Sequence, residues 1–289
     1  MRAPFKTTKY VTALAFSFVL VSASHLIAEE KEPLTSTFDE NWLKAVVSIE
    51  VMTNPTNSSP IGTGFLLTTQ CNHIILVTAK HVVENREGTI RTDLAYRINR
   101  KNATSYLLGD TGVVPSLGNW LVSTNADVAL RFISWEDRSD FAPMPMYVML
   151  PQKSIQAGAP LVILGFPMGL RSEEHSVAVL RKGVIARSDP GNLLADCFVF
   201  PGNSGGPVIY LPNVRFGQGW TNPMHNEQKL LGLVTSDISY SETAVSMQTL
   251  KPRITFEENS GLCIVVPTDR ITELTNSSDF KRIDSQTHP

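Results

Sequence analysis

Cysteine is scarce in this chain of 289 residues, with Cys71, Cys197 and Cys263 making up the whole supply. An odd trio cannot form the dense disulfide framework that staples small exported domains, so the fold has to rest on an apolar core. Charged residues are also few, at 18%, and nearly balanced at a formal net charge of −2. Without a basic field to gather phosphates, nucleic acid is not an expected partner. His, Cys and carboxylate residues do not cluster with zinc-like spacing, and His73, His175 and His225 stand alone, so no metal or other cofactor is expected. Internal repeats and low-complexity tracts are missing as well.

The main apolar run is too short for a spanning helix, which needs about 20 residues. It lies at the amino terminus, where Arg2, Lys6 and Lys9 precede a stretch from Tyr10 to Ala23, followed by small residues and Glu29-Glu30. A basic start, a short apolar centre and small residues after it read as a secretory signal peptide over residues 1–28, with Ala23, Ser24 and Ala28 as alternative cleavage points. The expectation is a secreted or periplasmic protein with no stable membrane span after signal removal. An uncleaved anchor is the alternative.

The chain is 42% apolar, enough for one sizeable core or two smaller ones. The apolar residues come as short β-rich runs at 45–52, 64–69, 73–83, 128–134, 161–166, 176–187, 194–200, 230–235 and 262–266, parted by Gly, Pro, Asn, Asp and Ser. With no series of long amphipathic helices between them, the class is all-β. Helix is expected only near Asp39 to Lys44 and from Thr268 to Leu274, with Thr268 as the candidate N-cap. The polar, Pro-bearing stretch around 136–152 reads as a linker between β-rich halves at 45–135 and 153–267, with an N-terminal segment at 29–44 and a helix and tail at 268–289.

Three short motifs carry chemistry. Gly202-Asn203-Ser204-Gly205-Gly206-Pro207 crowds glycine around one serine, freeing its hydroxyl and neighbouring N–H groups to face a substrate. Upstream lie Thr78-Ala79-Lys80-His81-Val82-Val83 and Asn125-Ala126-Asp127-Val128-Ala129-Leu130. Each alone has a plainer reading, as a turn, a structural histidine or a strand start. Together they supply a nucleophile, a proton shuttle and a carboxylate, the set that acyl transfer requires. Asp93 and Asp110 also fall between His81 and Ser204, but only Asp127 directly opens an apolar strand.

These motifs, with Ile61-Gly62-Thr63-Gly64-Phe65 and Leu164-Gly165-Phe166-Pro167-Met168-Gly169-Leu170, resemble the trypsin-like (chymotrypsin-fold) serine peptidases, and most closely their bacterial, HtrA-type branch. The resemblance runs over residues 45–275. It implies two antiparallel β-barrels with the site in the cleft between them and a short C-terminal helix. It also implies Ser204 as nucleophile, His81 as base and then acid, Asp127 as orienting carboxylate, and an oxyanion hole from the N–H groups of Gly202 and Ser204. Polypeptides are the implied substrates. The primary pocket would be bounded by Phe198, Val199, Thr235, Ser236, Asp237 and Gly261, with no acid at its floor and a preference for small or medium apolar side chains. The Thr235 hydroxyl would support Asp127. Buried thiols are expected at Cys71, Cys197 and Cys263, a bridge between Cys197 and Cys263 being the alternative that the resemblance allows.

Departures from the family pattern carry their own expectations. Asn203 stands where zymogen-activated members carry an aspartate, so no activating cleavage is expected beyond signal removal. The chain stops too soon after its terminal helix for the PDZ domain of many HtrA-type enzymes. Two other readings compete: a catalytically silent binding protein on the same scaffold, and an α/β-hydrolase esterase. The second is disfavoured because Val208-Ile209-Tyr210 after Pro207 suggests a strand rather than a helix, and because only His225 and His288 follow the serine.

Overall fold

The computed structural model describes residues 38–54, 57–109, 117–134, 137–172, 175–212 and 227–286. The signal segment, Asp110, His225 and His288 lie outside the described residues. Strands dominate, and no described helix is long and apolar enough to cross a membrane.

The first β unit follows helix α1 (Asn41–Lys44), whose Trp42 is buried at 1% exposure. Its strands are β1 (Val46–Met52), β2 (Ser58–Thr68), β3 (Ile74–Thr78), β4 (Leu94–Arg100), β5 (Ala103–Gly109), β6 (Leu117–Val122) and β7 (Ala129–Ile133). They pair antiparallel in the order β5-β4-β1-β2-β3-β7-β6. The stretch read as a linker does more than connect. Its two-residue strand β8 (Met144–Pro145) pairs parallel with β2, and Met149 bridges to Leu230. The run 73–83, read as one strand, divides instead into β3 and a helical turn, α2 (Lys80–Val83).

The second β unit comprises β9 (Pro160–Gly165), β10 (Val179–Asp189), β11 (Asn192–Asp196), β12 (Pro207–Tyr210), β13 (Lys229–Val245) and β14 (Pro252–Pro267). They close a barrel in the order β10-β11-β14-β13-β12-β9. Its wall separates two cores by the two-residue period of strands. In β9, Leu161 and Ile163 point into the small core inside the barrel, while Val162 and Leu164 join the larger core shared with the first unit. Val208 and Ile209 of β12, and Val265 and Val266 of β14, divide the same way. Burial on both faces is why these strands read as unbroken apolar runs.

Two helices finish the chain, α3 (Thr268–Thr275) and α4 (Ser278–Asp284). Thr268 is not the cap: Pro267 holds that position, and the Thr268 hydroxyl donates to the Leu150 carbonyl at 2.6 Å. The second helix begins at Ser277, whose hydroxyl oxygen accepts from the Phe280 N–H at 3.2 Å. It packs Phe280 on Phe132 of the first unit, with ring centroids 5.0 Å apart. Asp284 accepts from the Thr69 hydroxyl at 2.5 Å and pairs with His73 Nδ1 at 3.0 Å, so the terminal helices lock onto the first unit.

Candidate active site

The His81 turn is imposed by packing, since His-Val-Val has little helical preference of its own. Ala79 is extended at φ −71° and ψ 140°, and the chain then turns so that Val82 and Val83 are buried. Val82 seats against Gly62, where any Cβ would come within 2.7 Å of it. The packing of Val82 and Val83 leaves His81 half-exposed on the outer side of the turn. Asp127 immediately precedes the buried Val128 and β7, and its loop is closed by the Ser123 N–H donating to the Val128 carbonyl at 3.0 Å.

Asp127 grips His81 twice. Its Oδ2 lies 2.6 Å from His81 Nδ1, and its Oδ1 accepts from the His81 backbone N–H at 3.0 Å. Burial pushes the Asp127 carboxyl up, but the His81 ring's hydrogen bond and charge, with the backbone N–H groups of His81 and Lys80, bring it below the usual carboxylate range. An ionised carboxylate only accepts, so Nδ1 carries the hydrogen and Nε2 is left as an acceptor facing away.

Ser204 is held by backbone. Gly202 has φ +99°, and a Cβ there would lie 2.3 Å from the Phe166 carbonyl oxygen; Gly205 has φ +84°, and a Cβ there would lie 2.1 Å from the Thr63 carbonyl oxygen. Both positions therefore demand glycine. Within the turn, the N–H groups of Asn203, Gly205 and Gly206 donate to the carbonyls of Phe200, Val234 and Asn203 at 2.9, 2.7 and 2.8 Å. Those of Gly202 and Ser204 have no acceptor among the described residues, the arrangement an oxyanion would need.

Thr63, one residue of the Ile61–Phe65 motif, ties the units together. Fully buried, it donates its N–H to the Ser204 carbonyl at 2.8 Å and its hydroxyl to the Gly202 carbonyl at 2.6 Å, while accepting from the Phe166 N–H at 3.1 Å. The motif had drawn attention, but a threonine in a strand gives no sign of such bonding. The Met168 N–H adds a further brace to the Pro201 carbonyl at 2.6 Å. Asn203, 1% exposed, uses its Oδ1 to accept from the Phe200 N–H at 3.0 Å, and its Nδ2 sits where a Cβ on Gly165 would intrude.

The Ser204 hydroxyl donates to the Thr235 carbonyl at 3.2 Å and makes no hydrogen bond to His81. Thr235 enters through its carbonyl rather than its side chain, because its hydroxyl donates to the Ile264 carbonyl at 3.4 Å and does not support Asp127. Of the residues expected around a pocket, Phe198 is half-exposed with its ring 3.2 Å from where a Gly261 Cβ would stand, and Val199 is buried with its carbonyl accepting from Asn259 Nδ2 at 2.6 Å. Ser236 is exposed, and Asp237 is partly exposed with its Oδ2 accepting from the Ser239 hydroxyl at 3.3 Å. Cys71, expected to be buried, is an exposed free thiol in the turn between β2 and β3; Cys197 and Cys263 are buried free thiols, not a bridge, and burial pushes them up to about 11 and about 12, far from the thiolate a nucleophile needs.

In the first unit, Glu50 of β1 is a fully buried carboxylate. Burial pushes it up, but hydrogen bonds from Arg97 and Ser58 and the charges of Arg97 and Arg171 hold it below the usual range. Arg97 Nε lies 2.7 Å away, and Arg171 Nε, 3.4 Å away, ties in the loop that carries Met168.

Comparison with protein families matches residues 62–212 to the trypsin-like peptidase domain, a span that takes in His81, Asp127 and Ser204. Comparison with curated proteins finds no match. Among solved structures, the chain is similar to the HtrA-type protease AlgW with a tripeptide, at 14% identity and a TM-score of 0.47, over 81% of this chain. It spans 60% of that chain's length. With more than half of its residues inside the matched span, the chain belongs to the trypsin-like peptidase domain family.

Proposed function

We propose that this protein is a serine endopeptidase that works through an acyl-enzyme intermediate, with Ser204 as nucleophile, His81 as base and then acid, and Asp127 as the carboxylate that orients the imidazole. The observation that carries this reading is the pairing of two half-sites. One is an Asp127–His81 hydrogen bond of 2.6 Å that leaves Nε2 as an acceptor; the other is a glycine turn that exposes two unspent N–H groups beside Ser204. For turnover the Ser204 hydroxyl has to leave the Thr235 carbonyl and give its proton to Nε2. Catalytic hydrogen bonds are often loose without substrate. As Oγ attacks the scissile carbonyl, Nε2 takes the proton and delivers it to the leaving amine, and the N–H groups of Gly202 and Ser204 receive the oxyanion. Water then repeats the cycle on the ester.

No activating cleavage beyond signal removal is part of this reading, because Asn203 already braces the serine turn from within. The basic and apolar start of the chain supports export. The Phe198 ring over Gly261, with no buried acid beside it, supports cleavage after small or medium apolar side chains; a peptide library cut mainly after Arg or Lys would overturn that preference. The Ser204–Thr235 hydrogen bond is the one observation favouring a catalytically silent relative. Digestion of an unfolded polypeptide by the mature protein, with loss of about 10⁴-fold or more in kcat for Ser204→Ala, decides between the two.

A further inference from the structure

Past the barrel, β13 and β14 run on as a two-stranded ribbon that ends in a turn over residues 246–251. The turn closes on itself. The Ser246 N–H donates to the Lys251 carbonyl at 3.0 Å, the Leu250 N–H to the Ser246 carbonyl at 2.8 Å and the Thr249 N–H to the Ser246 hydroxyl oxygen at 3.3 Å. Its apolar side chains face outward instead, with Met247 89% exposed, Leu250 78% and the adjoining Val245 53%. Single exposed apolar residues are ordinary, but a cluster at the end of a protruding element marks a contact. Leu250 strengthens the point: its φ of +53° lies in the left-handed region, which costs a bulky side chain energy, and at that exposure packing inside the protein offsets little of the strain.

Charge is sorted along the ribbon. Among the described residues, Lys251 and Arg253 are exposed and enter no ion pair. The acids Glu242, Glu257 and Glu258 begin three residues back from Val245, about 10 Å at the usual rise. An apolar end, a basic collar and an acidic stem follow one another in a chain whose formal net charge is −2. That order matches the layers of a lipid surface, where apolar groups enter about 5–10 Å and cations meet the negative potential above them. A second copy of the chain fits less well. The ribbon face carrying Tyr240, Ile254 and Phe256 is interrupted by Glu242 and Glu258. It measures about 24 Å by 10 Å, a few hundred Å², against the roughly 800 Å² per partner that a stable dimer buries.

We propose that the ribbon tip docks this protein on an anionic lipid bilayer, with Val245, Met247 and Leu250 entering the boundary between headgroups and acyl chains and Lys251 and Arg253 meeting the negative surface. The internal hydrogen bonds of the turn suit it to this depth, because backbone groups that leave water need partners within the chain. Glu242, Glu257 and Glu258 stay in water. Three apolar side chains and two cations give reversible attachment, far short of a spanning helix. The same strand supplies the Thr235 carbonyl that accepts from the Ser204 hydroxyl, so the contact holds that serine about 30 Å from the lipid. The proposal is independent of the peptidase reading.

The test sediments the mature protein with vesicles of phosphatidylcholine alone or of phosphatidylcholine with about one third phosphatidylserine. Binding to the anionic vesicles should exceed binding to the neutral ones by about tenfold or more and fall steeply with added salt. Met247→Ser combined with Leu250→Asn, a residue that tolerates positive φ, should weaken binding about tenfold or more with Tm unchanged. Lys251→Gln combined with Arg253→Gln should remove the preference for anionic vesicles. Ser204→Ala should bind as tightly as the intact protein, which separates docking from turnover. No binding to anionic vesicles, or binding that both tip variants retain in full, overturns the proposal. A tip variant that keeps vesicle binding but converts a dimer to a monomer, or loses turnover of a soluble peptide, also overturns it and assigns the turn to a second copy or to substrate.

Discussion

In the first β unit the proposed base is held through side chains: the Asp127 carboxylate grips a half-exposed imidazole riding on a four-residue turn. In the second, the proposed nucleophile is held through the backbone, by glycines whose conformations and close approaches admit no Cβ and by the Thr63 amide and hydroxyl reaching across from the first unit. The contrast follows from the chemistry asked of each. A proton shuttle needs one tautomer and freedom to swing, whereas oxyanion donors have to be aimed before the charge appears.

The largest expected effect on this contrast comes from the side-chain-held half. Asp127→Asn removes the charge and permits the wrong imidazole tautomer, so kcat should fall by about 10⁴-fold while the Tm changes little. A loss below tenfold would remove Asp127 from the mechanism. On the backbone-held half, Gly202→Ala forces a Cβ toward the Phe166 carbonyl and displaces the Gly202 N–H, with an expected cost of about 10²–10³-fold in kcat. The fair control is Gly88→Ala, at φ +75° with nothing within 4 Å of the added Cβ. It carries the conformational cost alone, about 1 kcal/mol in stability by denaturant titration, with kcat unchanged.

Acid should separate the units differently. The Glu50 carboxyl is held below its ordinary value of 4.5, so the unfolded chain binds more protons than the folded one as pH falls through that range. The stability it contributes is complete above pH 4.5 and is lost as pH drops through the lower folded value. Glu50→Gln strands the Arg97 and Arg171 charges, so it should lower stability at neutral pH by about 3 kcal/mol. It should also flatten the fall of Tm below pH 4.5. An unchanged acid slope would show that other carboxylates govern that transition.

The β-rich character of the chain and the candidate residues His81, Asp127 and Ser204 were legible because each rests on a short local pattern. What surrounds them was not. The α2 turn hides in β-branched residues and is held by the burial of Val82, which packs on Gly62, and Val83. β4 interleaves Arg97, Asn99 and Arg100 with its apolar residues, since Arg97 turns inward to Glu50 rather than to solvent. The ribbon that β13 and β14 form over residues 239–259 escaped notice because Ser-Tyr-Ser-Glu-Thr and Thr-Phe-Glu-Glu-Asn bury no apolar side chain, and a strand without a buried apolar face leaves little signal. Thr235 was singled out for its hydroxyl, yet it meets Ser204 through a carbonyl that every residue type carries.

The most direct measurement is labelling of the mature protein with a fluorophosphonate, followed by mapping of the modified peptide. The account predicts one adduct, on Ser204, formed rapidly at neutral pH, slowed by several orders of magnitude in His81→Ala and absent in Ser204→Ala. An intact, folded protein that takes up no label, or takes it up equally fast without His81, would contradict it.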